Sequence, residues 1–82
     1  MDHQGVLNKL TDLFRELSDE DDVVLDDATT ADDVPGWDSI FHVKFVIAIE
    51  RAFKVRFDAS EINAAANVGE LAAIIESKFT AR

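Results

Sequence analysis

Cysteine is absent from this sequence, so the chain can form neither a disulfide nor a thiolate metal site, and a cytoplasmic setting is the expectation. Basic side chains are scarce: eight Lys and Arg stand against seventeen Asp and Glu, a net charge of −9. Phosphate backbones would be repelled by such a chain, which argues against nucleic-acid binding. No apolar run approaches the roughly 18 residues that would indicate a membrane span. The opening MDHQGVLNKL has no basic leader followed by an apolar stretch, so no signal peptide is expected. Gly-rich phosphate loops and His-Cys ligand spacings are also missing. The acidic run from Asp19 lacks the alternating oxygen ligands, central Gly and closing Glu of an EF-hand, so no metal site is expected.

What is present fits one small domain spanning residues 1–82. A chain of this size buries only somewhat more than about 60% of its unfolded surface, so its stability margin is modest. The charge is concentrated. Residues 19–38 hold nine acids (Asp19, Glu20, Asp21, Asp22, Asp26, Asp27, Asp32, Asp33 and Asp38) and no Lys or Arg, while residues 1–18 sum to −1 and residues 39–82 to +1. Such a run can serve as a solvated connection, as an attractant for basic partner proteins, or as both.

Apolar periodicity predicts a first helix over 4–17, with Val6, Leu10, Leu13, Phe14 and Leu17 on one side. Residues 18–38 break the pattern and make a connection of about twenty residues, a length that is usually functional or disordered. Val23, Val24, Leu25 and Val34 are expected to pin it to the core, which favours order. Pro35-Gly36 signals a turn, and Asp38 or Ser39 can then cap a helix that runs without Gly or Pro from Ile40 to about Phe53. A short helical turn is expected at 59–65. Asn67 followed by Glu70 has capping-box spacing ahead of a last helix whose stripe is Val68, Leu71, Ala72, Ile75 and Phe79. Lys54-Val55-Arg56-Phe57 alternates, but a lone short strand has no partner, so it reads as a loop. The fold class is all-α: three main helices and a short one, with the long acidic loop after the first.

The segment IFHVKFVIAIERAF, residues 40–53, is apolar over too wide an arc. Phe45, Ile49, Ala52 and Phe53 form one face; Ile40, Val43 and Ile47 form a second, with Phe41 and Val46 beside them. Either the helix is central and enclosed, or part of the arc is a partner surface. Composition leaves both open.

Ser39 stands at the mouth of this helix, in Pro35-Gly36-Trp37-Asp38-Ser39-Ile40. For an arbitrary Asp-Ser pair the ordinary reading is a helix cap. The position also suits a phosphodiester, which would face free amides and the positive end of the helix dipole, with Asp38 opposing that attraction. Asp38-Ser39-Ile40 resembles the Asp-Ser-Leu motif of acyl carrier proteins, with Ile in place of Leu. The likeness continues through Val43, Val46, Ala48-Ile49-Glu50 and Phe53, then through Asn67-Val68-Gly69-Glu70-Leu71. Upstream, Asp26 and Thr29 resemble the acidic loop that precedes the motif. Residues 4–79 are covered.

That resemblance implies a four-helix bundle that is not itself an enzyme and has no catalytic residues. Ser39 would carry a 4′-phosphopantetheine arm, placed there from coenzyme A by a phosphopantetheinyl transferase. The arm's thiol would hold an acyl group as a thioester for acyl-loading and acyl-processing enzymes, and the protein is expected to be a monomer. By the same analogy Phe45, Ile49 and Phe53 are core. Asp38, Ile40, Phe41, Val43, Lys44 and Ile47 make the partner face. The pattern departs from carriers of ordinary fatty acid synthesis, which usually read Asp-Ser-Leu-Asp with a further acid three residues on; here those positions are Phe41 and Lys44. A partner selected for acids should bind such a face poorly. Together with Trp37, these departures resemble dedicated carriers of a specialised lipid, polyketide or amino-acid loading pathway. Peptidyl carriers usually place Gly-Gly before the modified serine, whereas Trp37-Asp38 stands there, which favours an acyl cargo over an aminoacyl one. A hydrolytic set of Asp38, Ser39 and His42 has no separate element to orient the base. An unmodified helical adaptor would bind basic proteins through residues 19–38 and the Ile40, Val43 and Ile47 face.

Overall fold

A computed structural model describes residues 2–19 and 21–80. Glu20 of the acidic run lies outside the described residues, and Phe79 of the expected last stripe lies outside the described side chains. The first helix, α1 (His3–Ser18), begins where Asp2 accepts the Gly5 amide at 2.7 Å and ends where Asp19 turns left-handed at φ 58°. Its buried side chains are Val6, Leu7, Leu10, Thr11 and Phe14. Leu17, expected in the stripe, is 40% exposed. Its angle on the wheel is close to that of fully buried Leu10, so position in the last turn, rather than angle, exposes it.

Thr11 shows how the long loop is secured. Its hydroxyl donates to the Leu7 carbonyl at 3.0 Å and accepts the Leu25 amide at 3.1 Å, so a buried polar group on α1 anchors the loop beside buried Leu25. Arg15 Nε adds a 2.7 Å bond to the Val23 carbonyl. Val23 and Val34 pack partly against the core as expected, but Val24, between Val23 and buried Leu25, is exposed. Asp26 and Thr29 close a local ring, with the Thr29 hydroxyl donating to Asp26 and accepting the Asp26 amide. The loop also forms a 3-10 turn, Ala31–Asp33, with a Thr30–Asp33 capping box.

The second helix, α2 (Ser39–Phe53), buries Phe45, Ile49 and Phe53; Ala52, expected with them, is exposed. The chain leaves it through Lys54, left-handed at φ 57°, and continues as a loop in which Val55 is buried. Asp58 then caps the short α3 (Ala59–Ala64) with a full Asp58–Glu61 capping box. Lys78 reaches Glu61 at 2.8 Å, tying α3 to the last helix, α4 (Val68–Thr80). Asn67 caps the start of α4 through the Glu70 amide at 2.8 Å, while the Glu70 carboxylate reaches back to the Ala66 amide rather than to Asn67. The start of α4 is sewn to the acidic loop by the Val68 and Gly69 amides, which donate to the Thr29 and Asp27 carbonyls at 2.8 and 3.1 Å. Gly69 is required by this approach, since a Cβ there would stand 2.8 Å from the Asp27 carbonyl oxygen.

Helix α1 packs against both α2 and α4, and one apolar cluster joins all three with Leu25 and Val55. Four helices and no strand are found among the described residues, and no helix is long and apolar enough to cross a membrane.

His3 opens α1 and joins three elements. Its Nδ1 lies 2.6 Å from Glu76 on α4 and its Nε2 2.5 Å from Asp27 in the loop. Hydrogen bonds to Glu76 and then to Asp27 push its pKa up from 6.5 to about 9. A folded-state pKa above the unfolded value means the tie contributes fully below about pH 6.5. Its contribution declines above that and is lost as pH passes about 9. The melting temperature of the wild type should therefore fall across this interval more steeply than that of His3→Gln. Parallel curves would show that His3 does not hold the helices together.

Candidate functional site

The site is assembled by the turn that delivers the chain into α2. Val34-Pro35-Gly36-Trp37 forms a type II turn: the Trp37 amide donates to the Val34 carbonyl at 3.2 Å, and Gly36 takes φ 87°, which its missing Cβ permits. Trp37 is thereby swung toward the core. Its ring meets Phe14 at 5.1 Å and Phe45 at 5.6 Å edge-on, stacks on His42 at 6.1 Å, and donates from Nε1 to His42 Nδ1 at 3.2 Å. That bond makes Nδ1 the acceptor and places the proton of the neutral ring on Nε2.

Between the two candidate caps, the structure selects Asp38, whose carboxylate accepts the Phe41 amide at 2.8 Å. Ser39 is left as the first residue of α2, exposed and without a capping role. The amides of Ser39 and Ile40 meet no acceptor among the described residues, leaving donors beside the hydroxyl at the positive end of the helix. Next to them opens a largely apolar hollow lined by Ala31, Trp37, Asp38, Ser39, His42 and Val43. Asp38→Ala should consequently lower stability by about 0.5–2 kcal/mol, read as a shift in the denaturant midpoint. No shift would mean that another group caps α2.

The expected partner-face residues divide. Ile40, Val43 and Ile47 are 70%, 59% and 44% exposed, and Lys44 and Asp38 are exposed with them. Phe41 is half-buried, its ring 4.7 Å from that of Phe14, so much of it belongs to the interior. The enclosed-helix alternative is thus removed: one side of α2 is core and another faces outward. Asp38, Ser39 and His42 do not form a relay, because the Asp38 carboxylate caps the helix and His42 Nδ1 is engaged by Trp37. Among the described residues no basic side chain is hydrogen-bonded to the Ser39 hydroxyl. Sequence reasoning missed the Trp37–His42 pair; their five-residue separation across a turn carries no periodic signal.

The free hydroxyl, the unpaired amides and the adjoining hollow fit a residue that receives a phosphodiester-linked chain. A family model described as the phosphopantetheine attachment site matches residues 8–75. The chain is also similar to the solution NMR structure of the holo acyl carrier protein from Geobacter metallireducens. Identity is 34% and the TM-score 0.87, over 93% of this chain and 87% of that one. No curated protein matches significantly.

Proposed function

This chain belongs to the phosphopantetheine-attachment family of acyl carrier proteins, and from that premise we propose that Ser39 bears its prosthetic arm. The family makes the chain a carrier rather than an enzyme and its cofactor a covalent 4′-phosphopantetheine. The observation supporting Ser39 is its exposed hydroxyl at the first position of α2, free because Asp38 performs the capping.

In the loading step the Ser39 oxygen would bond to the pantetheine-bearing phosphorus of coenzyme A, the phosphoanhydride bond would break with adenosine 3′,5′-bisphosphate as the leaving group, and the serine proton would pass to a base of the phosphopantetheinyl transferase. The bound group supplies a terminal thiol for thioester formation, which the chain itself cannot provide because it has no Cys. The Ser39 and Ile40 amides stabilise the phosphate, and Asp38 offsets part of that gain. Trp37, His42 and Val43 offer apolar surface beside the attachment point. Residues 1–82 act as one cytoplasmic, monomeric carrier domain. Phe41 and Lys44, at positions that carry acids in housekeeping carriers, support service to a specialised lipid or polyketide-type pathway.

Intact mass after co-expression with a broad-specificity transferase tests the reading. The expected product is heavier by one phosphopantetheine. A wild type that stays unmodified would favour the adaptor, which uses the same surfaces without an arm.

A further inference from the structure

We propose that the exposed stripe of α2 docks on enzymes whose carrier-binding surface is acidic, the reverse of what a chain of net charge −9 suggests. The inference rests on the carrier reading: an enzyme that reaches an arm on Ser39 must also meet the helix that Ser39 opens.

Ile40, Lys44, Ile47, Arg51 and Lys54 follow one another at steps of four, three, four and three, which places them along one side of the helix. All five are exposed, and Val43 adds to the apolar centre between Ile40 and Ile47. An apolar middle bordered by charge is the usual anatomy of a protein interface. Apart from Asp38 at its N-terminal end, the border is cationic. Residues 39–57 contain four cations, Lys44, Arg51, Lys54 and Arg56, against the single acid Glu50, a net of +3; the remainder of the chain therefore carries −12. Glu50 does little to offset them at the surface, because its half-buried carboxylate accepts the Phe57 amide at 2.9 Å. No ion pair among the described residues engages Lys44 or Arg51. Beyond Ile47 an open hollow lined by Glu50, Arg51, Lys54, Val55 and Arg56 extends the cationic end and offers room for an acidic side chain.

The acidic run of residues 19–38 lies before Ser39 in the chain and the cations of residues 44–56 after it, so the two signs are separated along the sequence. At physiological ionic strength the Debye length is about 8 Å, which makes the local sign of a docking surface outweigh distant charge. Carboxylates around an apolar recess complement this stripe, whereas a basic recess would be repelled.

The probe is a phosphopantetheinyl transferase with a basic carrier-binding surface, used as such and with those surface cations changed to glutamate. Each form is assayed on the wild-type chain and on Lys44→Glu/Arg51→Glu, whose substitutions are exposed and whose helicity is checked by circular dichroism. The glutamate form should act on the wild type with kcat/KM about tenfold above the basic form, the preference should invert for the variant, and added NaCl should shrink both differences. Equal rates, or a preference of the basic form for the wild type, would overturn the proposal while completed modification leaves Ser39 as the carrier site. No modification by either form would overturn the carrier reading, and this inference with it. A salt-sensitive dimer of the wild type, abolished in the variant, would assign the stripe to a second copy and likewise overturn it.

Discussion

Ser39→Ala is expected to abolish phosphopantetheine attachment completely while changing unfolding free energy by no more than about 0.5 kcal/mol. The two effects separate because two neighbouring residues divide the work. Asp38 supplies the capping carboxylate, so removing the Ser39 hydroxyl deletes no described bond of the fold. Had Ser39 been the cap, the same substitution would have cost about 0.5–2 kcal/mol, and lost modification could have been blamed on a frayed helix. Side-by-side urea titration and intact mass of the two proteins give both readouts. A large loss of stability in Ser39→Ala would mean that the hydroxyl is structural.

Phe53→Ala should produce the opposite signature, a large loss of stability. Phe53 closes the inner face of α2 below Ile49 and belongs to the cluster that joins α1, α2 and α4. Truncating a buried phenylalanine removes its transfer free energy and leaves a cavity, together about 3–5 kcal/mol. For a small domain with total stability of about 5–15 kcal/mol, that is enough to populate unfolded chain near physiological temperature. Urea midpoints measure it. A loss under about 1 kcal/mol would show that the inward and outward faces of α2 have been exchanged.

How far the sequence reveals this arrangement depends on the range of the forces involved. Helix positions follow from periodicity and capping, both local. The expected 4–17, 40–53 and 59–65 lie within a residue or so of the observed α1, α2 and α3, and the Asn67–Glu70 cap is present. The acidic loop is harder to read, because its acids look like solvation while several act structurally. Asp26 closes a ring with Thr29, Asp33 completes a capping box, and Asp27 meets both His3 and Gly69. The bonds of Asp27 join residues far apart in the chain, 24 positions in the case of His3, and no spacing rule can foresee them. The divided apolar arc of α2 required the packed neighbours of Phe45 and Phe41 to be resolved. For the candidate site, the motif singles out Ser39 as the candidate, and the structure puts that residue at the first position of α2. That Asp38 and not Ser39 caps the helix was not legible, since both are good N-cap residues.

The claim on which the rest depends is that a chain without sulfhydryl groups acquires one through Ser39. Titration of free thiols in purified, transferase-treated protein tests it directly. The account predicts none per chain before treatment, one per chain after it, and none in treated Ser39→Ala. A treated wild type that still shows no thiol, or a treated Ser39→Ala that shows one, would contradict it.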